Sequence, residues 1–133
     1  MSNEIDIEET VNSIQGFLQE KLKESGASGY VIGLSGGIDS SLTLKLARDA
    51  VGNEKLKAFV MPGDPSTDEN RDDAIELAEN LDVDYELIEI EPVVKEFEHV
   101  LGFQPAKESI GNIRARTRMI IEYAEANENN MLV

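Results

Sequence analysis

The chain contains no cysteine and no tryptophan, one histidine, and little positive charge: 12 Lys and Arg stand against 27 Asp and Glu, a formal net charge of −15 over 133 residues. Without cysteine there is no disulfide frame and no thiolate-held metal. A surface so poor in cations excludes nucleic acid and anionic membranes as partners recognised through a basic face. No apolar run approaches the roughly 18 residues needed to cross a bilayer. The opening "MSNEIDIEET" has neither the basic nor the apolar region of a secretion signal, so a cytoplasmic location is expected. The surplus carboxylates are dispersed rather than gathered in a tail, which reads as a solvated surface suited to a salt-rich cytoplasm where self-repulsion is screened.

What is present is enough apolar material, 41%, for one folded domain over residues 1–133. Ile7, Val11, Ile14, Phe17 or Leu18, and Leu22 recur at helical steps, with Asp6 and Glu9 placed as a capping pair and "GASG" as the stop. "YVIGL" reads as a strand buried on both faces. A helix follows through Leu42, Leu46, Ala47, Ala50 and Val51, stopped at Gly52 and Asn53. "LKAFVMP" is a second buried strand closed by Pro62. Ser66 and Glu69 form a capping box for a third helix through Ala74, Leu77, Ala78 and Leu81. "YELIEI", residues 85–90, alternates as a strand near a sheet edge does. "PVVKEFEHVL" and "GNIRARTRMIIEYAEANE" are two further helices, Pro92 suiting the first turn of the former. The closing "MLV" resembles the first half of a buried strand, so the domain is expected to be incomplete at its C-terminus. Strands alternating with helices predict an α/β fold, a doubly wound parallel sheet with helices on both faces and a ligand site at the carboxyl ends of the strands.

The segment "GLSGGIDS", Gly33 to Ser40, lies at that end, between the first strand and the next helix. Glycines there let the backbone turn and let a ligand approach the amides. The N–H groups that open the helix make an anion site, and Ser35, Ser40 and Ser41 add hydroxyl donors. Phosphate fits, but Asp39 would repel it unless a divalent cation such as Mg2+ bridges the two. No lysine follows the glycines as in the nucleotide loop G-x-x-x-x-G-K-[ST], and the spacing is not G-x-G-x-x-G. An ordinary capped turn is the competing reading.

"SGGIDS" resembles the pyrophosphate-binding loop of the ATP pyrophosphatases, and "GNIRARTRM", Gly111 to Met119, resembles a stretch of the ammonia-dependent NAD synthetases. The segment "STDENRDDAIELAENLDV" after "AFVMP" is similar to that family's second strand and following helix. The resemblance runs from about Thr10 to the end and suggests the N-terminal half of such a protein, of haloarchaeal type. It implies an adenine nucleotide alpha hydrolase-like fold and ATP-dependent amidation of deamido-NAD through an adenylated nicotinate, with release of AMP and pyrophosphate. It further implies that Gly33, Leu34, Ser35, Gly36, Gly37, Ile38, Asp39 and Ser40 contact ATP, that Asp39 binds Mg2+, and that Arg118 contacts deamido-NAD. No residue is assigned as an acid or base. The family's pattern continues beyond Val133 into another polar loop, with a threonine for ATP and a glutamate for the metal. It also implies a homodimer, the deamido-NAD site near the interface formed by the "RTRMIIEYA" helix. Ammonia is the expected nitrogen source, no glutamine-hydrolysing domain being attached. The alternatives are a fragment that binds Mg-ATP or pyrophosphate without catalysis, and another pyrophosphatase such as a GMP-synthetase-like amidating enzyme.

On a helix, Ile113, Thr117, Ile120 and Ala124 share a face expected to meet the core or a partner. Arg114 and Arg118, four apart on its flank, are placed to converge on one anion, whereas Arg116 falls opposite as a structural or subunit-contact residue. Pairing with the protein's many carboxylates is the plainer role for each arginine. His99 is expected at the surface without a role, and Phe17, Phe59, Phe97 and Phe103 in the core or between helices.

Overall fold

The computed structural model describes residues 6–35, 37–63 and 68–133. Helix α1 (Ile7–Ser25) starts where expected: Asp6 Oδ1 accepts the Glu9 N–H at 3.0 Å, and Gly26 ends the helix with a left-handed φ of 70°. Strand β1 (Tyr30–Leu34), helix α2 (Ile38–Val51), a 3₁₀ turn (Asn53–Lys55) and strand β2 (Leu56–Val60) follow. Helix α3 (Asp68–Asn80), strand β3 (Asp84–Leu87), helix α4 (Glu91–Val100) and helix α5 (Lys107–Asn129) complete the order. The capping box of Ser66 with Glu69 lies outside the described residues.

The three strands are parallel in the order β1-β2-β3, Tyr30 facing Leu56 and Lys57 facing Asp84. Hydrogen bonding from the edge strand outlasts its regular part: Ile88 N–H donates to Val60 O at 2.9 Å and Ile90 N–H to Pro62 O at 3.3 Å. The predicted strand over 85–90 is therefore present as a pairing edge. Lys57, mostly buried along its stem, ties the acidic edge to the sheet through Asp84 at 3.2 Å and Glu86 at 3.8 Å. The closing residues take up the outer edge of β1. Tyr30 pairs in parallel with Leu132, Leu132 N–H donates to Gly29 O at 2.8 Å, and Val31 N–H donates to Leu132 O at 2.6 Å.

Alternation along the strands builds two cores, because side chains at odd and even positions face opposite ways. Tyr30, Leu34, Leu56, Ala58 and Val60 face Leu22 of α1, Leu44 and Ala47 of α2, and Ala74 and Ala78 of α3. Val31, Phe59 and Met61 face Ile90, Val94 of α4 and Ala126 of α5. Helices thus cover both faces of a parallel sheet, the doubly wound arrangement expected.

Two packing expectations are corrected, and the face of α5 expected to meet the core or a partner is divided between core and solvent. Phe59 is buried, but Phe17, Phe97 and Phe103 are 57%, 44% and 65% exposed. Phe17 and Phe97 follow helical spacing yet lie largely exposed, and Phe103 falls in the loop after α4. On α1 only the last two turns are covered: Leu22 is buried and Leu18 packs against it, whereas Ile7 and Ile14 remain open. On α5 the inward face runs Ile110, Ile113, Thr117, Ile121 and Ala126, and Ile120 and Ala124 point to solvent. The stripe advances by four residues from Thr117 to Ile121 rather than by three, as a 3.6-residue period requires over several turns.

Candidate functional site

The loop between β1 and α2 is held by its own hydroxyls. Ser35 Oγ and Ser40 Oγ lie 3.0 Å apart, the Ser35 N–H donates to Ser40 Oγ at 3.2 Å, and the Gly37 N–H donates to Ser35 Oγ at 3.3 Å. Ser41 Oγ donates to Gly37 O at 2.8 Å. Gly37 occupies the N-cap of α2 with no side-chain cap, so the start of this helix offers backbone donors toward the loop. Asp39 sits in the first turn of α2, exposed, its carboxylate without a hydrogen-bond or ion-pair partner among the described residues. Gly36 and the Ile38 side chain lie outside the described residues. Leu34 turns its side chain into the core at 5% exposure, so any contact it makes with a ligand is through its backbone.

A cavity of about 310 Å³ opens at the carboxyl ends of β1 and β2. Gly33, Leu34 and Ser35 form one wall, and Val60, Met61 and Pro62 another. Its polar lining comes from Asn70 and Arg71 at the start of α3, and Arg118 and Glu122 of α5. The structure therefore brings Gly33, Leu34, Ser35 and Arg118 to one cavity, while Asp39 and Ser40 lie off it in the adjoining loop and helix turn. Arg114 is turned elsewhere: its Nε donates to Glu91 Oε1 of α4 at 2.6 Å. Through this bond it braces α5 against α4. Arg116 is exposed, as are Met119 and Tyr123 beside it.

Arg118 is aimed by its backbone partner. Its Nε donates to Met61 O at 3.0 Å, just past the end of β2, which directs the remaining guanidinium toward the cavity. Burial and the neighbouring Arg114 lower its pKa from the ordinary arginine value, opposed by Glu91 and Glu122. An arginine remains charged under such a shift. Two glycines make the room. A Cβ on Gly63 would stand 3.1 Å from Arg118 Nη2 and 3.0 Å from Ile90, and a Cβ on Gly33 would collide with Glu122 Oε1.

Glu122, Asn70, Arg71 and Gly63 were not singled out by sequence. Arg71 and Asn70 sit in the acidic run "DENRDD", whose bulk charge masks a cation turned into a cleft. Glu122 is one helical turn beyond Arg118, and that i,i+4 spacing was the available signal. Burial raises the Glu122 carboxyl above the usual carboxylate value, and Arg118 counteracts part of this. A raised folded-state pKa means that ionisation costs the folded state more than the unfolded one. Glu122→Gln is thus expected to raise the unfolding midpoint at pH 8, where the wild-type carboxylate is charged. No such gain is expected near pH 3, where both states carry the proton, and urea denaturation at the two pH values checks it.

Among the described residues no three His, Asp or Glu side chains gather as a ready-made metal site. A single free carboxylate at Asp39 beside a phosphate-type loop still fits Mg2+, which takes one or two protein carboxylates and draws its other ligands from phosphates and water. Among the described residues, too, no helix is long and apolar enough to cross a membrane.

Comparison with known proteins agrees with this geometry. The NH(3)-dependent NAD(+) synthetase of Thermococcus kodakarensis is 49% identical over 129 residues, spanning 97% of this chain and 50% of that protein. The enzyme of the same name from Halobacterium salinarum is 39% identical, over 96% of this chain and 48% of its own length. Among solved structures, the NH3-dependent NAD synthetase of Campylobacter jejuni superposes with a TM-score of 0.90 at 34% identity, covering 96% of this chain and 55% of that one. The chain spans about half the length of the relatives it matches. The NAD synthase family model matches residues 10–133, and the chain belongs to that family.

Proposed function

We propose that the protein acts in NAD biosynthesis, as a ligase that amidates deamido-NAD with ammonia at the expense of ATP. The observation that carries this reading is the shared cavity. It joins the end of β1 and the start of the glycine-serine loop to Arg118 of the second, distant motif. The loop, Gly33 to Ser40, is the ATP subsite, and Arg118 is the contact for deamido-NAD. Arg114, held by Glu91, supports the helix that presents Arg118.

The reaction asks little acid or base chemistry of this chain. ATP adenylates the nicotinate carboxylate, the carboxylate oxygen attacking the α-phosphorus as pyrophosphate leaves. Ammonia then attacks the activated carbonyl and AMP departs. Alignment and charge neutralisation are what the protein contributes. Two anionic substrates approaching a chain of net charge −15 need local cations, which Arg118 and Arg71 supply at the cavity. Asp39 is the residue that would hold Mg2+, and such a cation would add neutralisation of charge building on the leaving pyrophosphate.

Asp39→Ala is expected to weaken Mg-ATP binding by at least about 10-fold, because removing even a partner that only supports a metal's ligands costs about 10- to 100-fold. Stability should fall by no more than about 1 kcal/mol, the value of an acidic residue in a first helical turn. Calorimetric titration with Mg-ATP and thermal unfolding read the two effects separately. The reading itself is tested by incubating the folded chain in molar KCl with Mg-ATP, deamido-NAD and ammonium, then measuring AMP and NAD. Equal yields of both, lost in Asp39→Ala, support the ligase. Because the chain covers half of its relatives' length, a second reading is Mg-ATP binding without turnover. Retained ATP affinity with neither product would select it.

Two further properties belong to this proposal. Val93, Phe97 and Val100 of α4 and Met119, Ile120 and Tyr123 of α5 are exposed, which supports a homodimer formed through these helices. The dispersed acidic surface supports a salt-rich cytoplasm, and molar KCl is chosen for that reason.

A further inference from the structure

Among the described residues, the cavity contains one group that its anionic ligands should repel. Of the charged side chains lining it, Arg71 and Arg118 are cations and Glu122 is a carboxylate. Glu122 is partly buried, and among the described residues it forms no hydrogen bond or ion pair. A carboxylate drawn from water opposes folding, and the charge of Arg118 one helical turn away offsets only part of that cost. Its position is nevertheless accommodated: Gly33 lacks the side chain that would displace it. The group is therefore placed to meet something the ligand brings.

Phosphate is excluded by charge. A phosphate-bound Mg2+ is assigned to Asp39 in the loop, and among the described residues no further carboxylate or histidine gathers around Glu122 to hold another metal. Among the neutral donors that a nucleotide carries, the ribose cis-diol offers two adjacent hydroxyls. An ionised carboxylate only accepts, and its two oxygens can take both hydroxyl protons. Position supports the same assignment. Glu122 Oε1 abuts Gly33 near the end of β1, and the phosphate-type loop begins at Ser35. A nucleotide whose phosphates reach that loop carries its ribose next to them. The cavity, about 310 Å³ with Val60, Met61 and Pro62 along one wall, has the size and apolar surface for a nucleoside.

We propose that Glu122 binds the ribose hydroxyls of the nucleotide whose phosphates occupy the Gly33–Ser40 loop, and so selects ribonucleotides over deoxyribonucleotides. This rests on the reading of that loop as an ATP subsite. Loss of one charge-assisted hydrogen bond corresponds to about a 10-fold change in affinity or more.

The test is calorimetric titration of the folded chain with Mg-ATP and with Mg-2′-deoxy-ATP, in wild type, Glu122→Ala, Glu122→Gln and Gly33→Ala. The wild type is expected to bind ATP about 10-fold more tightly than 2′-deoxy-ATP. Glu122→Ala should bind both at the deoxy level, and Glu122→Gln, an acceptor without charge, should keep a reduced preference. Gly33→Ala keeps the carboxylate but displaces it, and should also lose the preference, which provides a second route if Glu122→Ala fails to fold. Equal wild-type affinity for the two nucleotides overturns the proposal and leaves the ATP subsite intact. A preference retained in both Glu122→Ala and Gly33→Ala overturns it as well. Failure of folded wild type to bind either nucleotide overturns the ATP subsite together with the proposal.

Discussion

Arg118→Ala is expected to raise the dissociation constant for deamido-NAD by about 10- to 150-fold, the loss of one charge-assisted hydrogen bond at roughly 1.5–3 kcal/mol. The effect should be large because the guanidinium is already oriented. Its Nε is spent on Met61 O, so the remaining donors need little ordering when a ligand arrives. In a chain with 12 basic residues, few others can replace it at the cavity. Arg118→Lys is the sharper experiment. A lysine keeps the charge but cannot hold Met61 O and present a planar fork at once. It should recover only a small part of the lost affinity. Titration with deamido-NAD checks both variants, and affinity within about twofold of wild type in the alanine variant would remove Arg118 from the site.

Phe59→Ala is expected to cost about 3–5 kcal/mol of stability. A domain of this size has roughly 5–15 kcal/mol in total, so the loss is a large share of it. Phe59 is 2% exposed and lies between the sheet and the layer of α4 and α5, beside Ile90, Val94 and Ala126. The void would open under the helix that presents Arg118 and Glu122. Nucleotide and deamido-NAD affinities are therefore expected to fall together with the urea midpoint. Leu42→Ala, at a position 56% exposed, serves as the control and should change stability by no more than about 0.5 kcal/mol. A loss below about 1 kcal/mol in Phe59→Ala would mean that this layer is not packed as described.

The strands were legible because β1 and β2 are short, apolar and followed by helical periodicity, and local composition suffices for that distinction. Asp6 capping α1, Gly26 ending it and Pro92 in the first turn of α4 were legible for the same reason: each acts on its own neighbours in sequence. The closing "MLV" announced its strand character through composition, and Leu132 does pair with β1. Periodicity also has a limit. It identifies an apolar face but not whether anything covers it, and Phe17, Phe97 and Phe103, assigned to packing, are exposed in the structure.

The amino-acid sequence by itself determined the alternation of strands and helices, the glycine-serine loop at a strand's end, the acidic surface and the family resemblance. Each of these depends on residues close together in the chain. Only the tertiary structure decided that Arg118 enters the cavity while Arg114 turns to Glu91, and that Glu122 stands against Gly33. Those placements depend on where α5 crosses the strand ends, and that crossing is set by packing among residues far apart in sequence, Phe59, Ile90, Val94 and Ala126. A side chain's direction at i or i+4 follows from helix geometry, but what it meets there is a property of the assembled layers.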